Sequence, residues 1–142
     1  MREHEVTVRG EYVLRLERGE DVLPTLTDFC KRKGILSGSF KAIGAVERAK
    51  IGYYDLSSKK YGTIEYPEAR EVASMTGNVA QVDGAPFIHA HAVLTDMKKN
   101  ESIGGHVFSA NVAVTLEVHL TAFNEPLRRT FDDEIGLKLL DL

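Results

Sequence analysis

"PFIHAHAVLTDMKKNESIGGHVFSANVAVTLEVHL", residues Pro86 to Leu120, contains four of the five histidines in the chain. Successive side chains of a strand point to opposite faces. In FIHAHAVL this puts Phe87, His89, His91 and Val93 on one face and Ile88, Ala90, Ala92 and Leu94 on the other. Two imidazoles so spaced lie about 7 Å apart along the strand and can chelate one ion. Short Ala90 keeps the opposite face easy to pack. His106 opens the next extended run behind Gly104-Gly105, a pair that lets the backbone come close and turn freely. The polar stretch TDMKKNESIGG reads as the loop between the two runs. If the runs pair as a hairpin, His106 comes level with Val93 or His91 and three imidazoles can meet. Three protein ligands plus a water is the pattern of an open zinc site.

Further along, NVAVTLEVHL sets Val112, Val114, Leu116, Val118 and Leu120 on an apolar face and Ala113, Thr115, Glu117 and His119 on the other. Glu117 is a candidate ligand, second-layer partner of a histidine, or acid/base on metal-bound water. The simpler reading of both Glu117 and His119 is a solvent-facing strand residue. His4, in a charged terminal stretch, reads as exposed. Pattern alone leaves a second reading of the histidines open, as half-exposed members of a sheet with no ion.

The segments before this stretch set the fold class. EYVLRLERGE alternates as a strand. DVLPTLTDFCKRKG reads as a helix, with Asp21 as N-cap and Pro24 in the first turn. Val22, Leu26, Phe29 and Cys30 recur at helical spacing, Lys31 to Lys33 complement the C-terminal dipole, and Gly34 stands at the C′ position. SGSFKAIGAV, RAKIGYYDL, KYGTIEYP and EVASMTGNVAQV then read as strands, with isolated glycines marking bulges or close backbone approach. Asp83 to Pro86 is a turn, and the tail LRRTFDDEIGLKLLDL offers one more strand and a closing segment. The expectation is one α+β domain over residues 1–142, mainly antiparallel and barrel-like, with one clear helix near the N-terminus.

Composition bounds the function. The 142 residues are 43% hydrophobic and 27% charged, as in a globular protein with a solid core. Net charge is −3, which favours neither nucleic acid nor an anionic membrane. The basic clusters Lys31-Arg32-Lys33, Lys59-Lys60, Lys98-Lys99 and Arg128-Arg129 read as solvated loops and helix ends. MREHEVTVRGEY has no apolar core of a secretory signal, and no apolar run is long enough to span a bilayer. Cys30 is the sole cysteine, so no intrachain disulfide forms, and it reads as a core residue rather than a nucleophile. These features together suggest a cytoplasmic protein.

Nearly the whole chain resembles the plants-and-prokaryotes-conserved (PPC) domain in its standalone prokaryotic form. The likeness is carried by LERGEDVLPTLTDFCKRKGI, GSFKAIGAVERAKIGYYD, EVASMTGNVA, HAHAVL and GGHVFSANVAVTLEV, in that order and spacing. It implies a compact α+β homotrimer and a metal site with His89, His91 and His106 as ligands. Zinc suits such a set, and nickel, cobalt or iron would also fit. Plant relatives carry an AT-hook that enters A·T-rich minor grooves, and no Arg-Gly-Arg-Pro-type segment occurs here. Their Arg-Phe-Glu stretch corresponds to Ala69-Arg70-Glu71, so only the Glu is kept. The resemblance therefore implies weak DNA binding or none. A more distant likeness to acetolactate decarboxylase, a zinc enzyme with a three-histidine site, is analogy of fold and ligand type. The expected function is a metal-binding trimeric domain with a regulatory or sensing role. The alternatives are a metal-dependent lyase acting on a small hydroxy- or keto-acid, with Glu117 as acid/base, and a DNA-associated protein.

Overall fold

The computed structural model describes residues Met1–Leu142. The elements run β1 (Val8–Glu17), α1 (Val22–Lys33), β2 (Gly38–Asp55), β3 (Lys60–Tyr66), β4 (Arg70–Val82), β5 (Ala85–Asp96), β6 (Glu101–Phe123), β7 (Arg128–Asp132) and β8 (Leu137–Asp141). β2 pairs with β6, β6 with β5, β5 with β4, and β4 back with β2, all antiparallel. The four strands thus close a ring, and the barrel-like, mainly antiparallel α+β class expected from the sequence is the one observed. β1 lies along the second half of β6, and β3 pairs with β2. β7 and β8 form a hairpin that joins β4 through one parallel bridge, Gln81 to Arg128.

Burial follows the alternation. On β5, Ile88, Ala90, Ala92 and Leu94 are buried, and the intervening side chains face outward. They join a core cluster of 24 buried residues with Leu116, Val118 and Leu120 of β6 and Val46 and Ile51 of β2. Each large aliphatic side chain so buried contributes about 1.5–3 kcal/mol. Helix α1 packs against β5 and β6 and buries Val22, Leu26 and Cys30 in that cluster. Burial pushes the Cys30 thiol up to about 11, the state of an inert core residue. Gly34 takes the left-handed conformation (φ 61°) and closes the helix on the carbonyls of Cys30 and Lys31. Asp21 occupies the N-cap position without capping. Its carboxylate accepts instead from the Asn111 amide, tying the helix entry to β6.

Several boundaries differ from the sequence expectation. SGSFKAIGAV and RAKIGYYDL are halves of one 18-residue strand, β2, with register shifts around Gly44 and between Glu47 and Lys50, where Arg48 has φ 50°. The loop expected over TDMKKNESIGG shrinks to Met97–Asn100. Asp96 Oδ1 accepts from the backbone N–H groups of Lys98 and Lys99, and Asn100 has φ 51°, so four residues suffice for the turn. Val114, expected on the apolar face, is exposed. Between Leu116 and Val112, β6 advances four residues while β2 advances two, and the extra residues are pushed out of the ladder. The tail gives two strands where one was expected, joined by the turn before Leu137. No helix is long and apolar enough to cross a membrane.

Candidate metal centre

The β5–β6 register sets His91 directly opposite His106. His89 lies two residues earlier on β5, on the same outward face. The three rings pack with centroids 5.2 Å (His89–His91), 4.9 Å (His89–His106) and 5.3 Å (His91–His106) apart. One nitrogen from each ring falls within 4.8 Å of the others. Gly105 makes the approach possible, because a Cβ there would lie 2.5 Å from the Gly52 carbonyl oxygen of β2. The hairpin geometry anticipated from HxH and Gly-Gly-His is therefore present, with His91 rather than Val93 opposite His106.

Burial and neighbouring positive charge favour the neutral form of two of these rings, His89 and His106. Burial pushes His89 down to about 4, with the positive charge of Arg129 next in weight, then those of His106 and His91. Burial is also the main cause lowering His106, followed by the charges of His91 and Arg129. Neutral imidazoles offer the lone pairs a metal needs. His106 Nδ1 is buried without a hydrogen-bond partner, an orphan that an ion or a bound group would satisfy. In a tetrahedral zinc site the ligand nitrogens stand about 3.3 Å apart, as follows from Zn–N bonds of about 2.0–2.1 Å. Small torsional shifts of the three rings, His89 and His106 half-buried and His91 exposed, would close the difference. By donor chemistry and spacing, the residues fit a divalent transition ion.

Arg129 sits against the triad. Its Nη2 donates to His89 Nδ1 (3.0 Å) and to Asn78 Oδ1 (2.9 Å), and its Nη1 donates to the Lys138 carbonyl (2.9 Å). The β7–β8 hairpin that carries it is pinned across the site. Tyr54 Oη donates to the Ile135 carbonyl and Lys59 Nζ to the Asp133 carbonyl, while Lys138 pairs with Asp83 at the β4–β5 turn. Under the hairpin is a cavity of about 510 Å³ that reaches His89 and His106. Tyr61 and Phe108 flank His106 at 5.3 and 4.7 Å between ring centroids.

Glu117 is not part of this site. It lies eleven residues beyond His106 on β6, exposed, between Arg15 of β1 and Ile43 of β2. At a rise of about 3.4 Å per residue that is roughly 35 Å of strand, which removes it as ligand or acid/base within one chain. His119 is likewise exposed, opposite Val13 and Lys41, and His4 is exposed ahead of β1. Arg70 is buried. It pairs with Glu101 (2.7 Å) and lies over the Tyr66 ring at 4.5 Å. The sequence reading missed Arg129, taken only as half of a surface cluster, and also Tyr61 and Phe108. No local pattern links Arg129 to residues 40 positions earlier; the β4–β7 bridge and the long-range anchors of the β7–β8 hairpin bring it there.

The family profile of the Plants and Prokaryotes Conserved (PCC) domain matches residues 3–124. The chain belongs to that family. Among solved structures, this PPC chain is similar to a metal-containing protein from Archaeoglobus fulgidus, with 40% identity, a TM-score of 0.91 and 98% of each chain covered. It is similar to a PPC protein from Pyrococcus horikoshii at 31% identity and TM-score 0.92, covering 100% of this chain and 98% of the other. A third relative, from Ralstonia eutropha JMP134, is provisionally described as DNA-binding; it has 33% identity, TM-score 0.84 and coverage of 92% and 90%. No curated protein matches the sequence. The family profile ends before the β7–β8 hairpin, whereas the two archaeal structures extend along nearly the whole chain.

Proposed function

We propose that residues 1–142 form one PPC-type domain that holds a divalent transition ion, zinc foremost, through His89, His91 and His106. In this reading it acts in the cytoplasm as a homotrimer with a regulatory or sensing role. The observation that carries the reading is the convergence of three imidazole nitrogens within 4.8 Å beside a buried, unpartnered His106 Nδ1. The metal-containing A. fulgidus relative supports it. These residues would hold the ion, and the ion would supply Lewis acidity to a bound oxygen atom. The chain's own part is to favour neutral His89 and His106 by burial and to set the spacing of the three rings by the β5–β6 register. Met97 and Val114, both exposed, border one surface depression that assembly would cover.

Metal analysis of untagged protein tests the centre. About one ion per chain is expected, and His89→Ala/His91→Ala should lose it; unchanged content in that variant excludes these ligands. Sedimentation at micromolar concentration tests assembly, and a monomer refutes the trimer. The enzymatic reading, a metal-dependent lyase acting on a small hydroxy- or keto-acid, is favoured by the cavity beside His89 and His106. Glu117 of the same chain lies too far along β6 to serve it; Tyr61 and Lys138 are the ionisable side chains that line the cavity besides the histidines and Arg129. Chelator-sensitive turnover of such an acid is its test. DNA association follows from the description of the R. eutropha relative. A net charge of −3 opposes it, and absence of binding at low salt ends it.

A further inference from the structure

Arginine has donors and no acceptor, so its 3.0 Å contact with His89 makes Nδ1 the acceptor and places the ring proton on Nε2. Neither nitrogen is then free to ligate. Ligation through Nδ1 requires the Arg129 N–H to withdraw. Ligation through Nε2 requires the proton to move to Nδ1, where donor would face donor. By either route, an ion held by the triad displaces Arg129 from His89. The guanidinium does not go far, because Asn78 Oδ1 and the Lys138 carbonyl still hold it at 2.9 Å and the hairpin is pinned at both ends.

The cavity it borders has a consistent chemistry. Its walls include the rings of Phe87, Phe108 and Tyr61 and the side chains of Leu137 and Leu139. Its cations are Arg129 and Lys138, and no aspartate or glutamate lines it. Arg129 Nε is buried and unpartnered, a further donor awaiting an acceptor. An apolar chamber with a released guanidinium, no acid, and an electrophilic site at one end complements an anion with an apolar body. We infer that the cavity takes a small organic monocarboxylate with an aromatic or branched apolar body, and that Arg129 switches from His89 to the ligand's carboxylate when the triad holds its ion. This rests on the metal reading above. It makes ion and carboxylate positively coupled, because each relieves the contact that opposes the other, and such coupling is reciprocal.

The test uses full-length protein loaded with cobalt(II), whose visible spectrum reports changes at the ion, with benzoate as probe and benzamide as its uncharged counterpart. Benzoate should bind saturably to the cobalt form and at least about tenfold more weakly to the metal-free form. Benzamide should bind at least about tenfold more weakly than benzoate, the scale of a charge-assisted pair at a half-buried site. Arg129→Gln should weaken benzoate binding by a similar factor and tighten cobalt binding, because the cation is removed and the shorter amide is a weaker competitor for His89. Arg129→Lys should recover part of the benzoate affinity, and thermal melts of both variants establish that they fold. Cobalt binding with an unaltered benzoate response in Arg129→Gln overturns the assignment and leaves the metal centre standing. Equal binding of benzamide, or of benzoate without cobalt, also overturns it. Failure of the wild-type protein to bind cobalt removes the metal centre, and this inference with it.

Discussion

Two adjacent glycines provide a sharp test of how the triad is built. A Cβ on Gly105 would lie 2.5 Å from the Gly52 carbonyl oxygen and 3.1 Å from Ile51 Cγ2. Both belong to β2, and Gly52 is paired with His106, so the obstruction is ladder backbone that cannot rotate away. The residue also has φ 157°, a conformation that side chains resist. Overpacking costs about 1–3 kcal/mol, and the backbone term adds about 1 kcal/mol. Gly105→Ala should therefore lose about 2–4 kcal/mol, which at about 2–4 °C per kcal/mol lowers Tm by roughly 5–15 °C. A Cβ on Gly104 would meet the Ala92 carbonyl oxygen at 3.2 Å, with no positive φ, so Gly104→Ala should lose less than about 1 kcal/mol. Urea and thermal unfolding of the two variants measure the difference. Because the Gly105 clash pushes β6 away from β2 next to His106, that variant should also bind metal more weakly. Equal losses, or a larger loss for Gly104→Ala, would refute the tight β2–β6 crossing on which the position of His106 depends.

Other expectations follow from the same structure. His89, with a folded-state value of about 4, stays neutral where the unfolded chain, near 6.5, takes up a proton. The unfolded state therefore binds more protons between pH 6.5 and 4, and the metal-free protein should lose stability as pH falls through that window; a flat urea midpoint there contradicts the burial of this ring. Cys30 should resist alkylation by iodoacetamide at pH 7.5 until the protein is unfolded, and rapid native labelling would show that the helix–barrel contact opens readily. Glu101→Gln leaves the buried Arg70 cation without its carboxylate and should cost about 2–3 kcal/mol. Arg70→Met, which replaces the charge by an apolar stem, should cost less; the reverse order in urea unfolding would mean that the ion pair itself stabilises the fold.

The parts of this fold legible in the sequence are those written in local periodicity. Alternation in FIHAHAVL placed His89 and His91 on one face, and pairing of the two runs as a hairpin brings His106 level with them, although the connection read as TDMKKNESIGG is a turn of only four residues. Spacing of Val22, Leu26 and Cys30, with Gly34 behind them, marked the helix. Bulges were less legible, since they change the period only through distant partners. The slip that exposes Val114 depends on how many residues β2 contributes opposite it, and the unity of β2 depends on Arg48 accepting φ 50°. Glu117 was a lesser candidate beside the solvent-facing reading, and it is exposed: a strand separates residues along its length as firmly as it aligns them on a face. Arg129 was invisible for the opposite reason: long-range contacts of the β7–β8 hairpin, the β4–β7 bridge among them, bring it to His89.

The most direct measurement is a crystal structure with anomalous scattering recorded on both sides of the zinc edge and of its transition-metal neighbours. One strong peak is expected within about 2.0–2.1 Å of a nitrogen from each of His89, His91 and His106, with Arg129 withdrawn from His89. A metal-replete crystal with no peak at the triad, or with its peak bound elsewhere on the chain, would contradict that expectation.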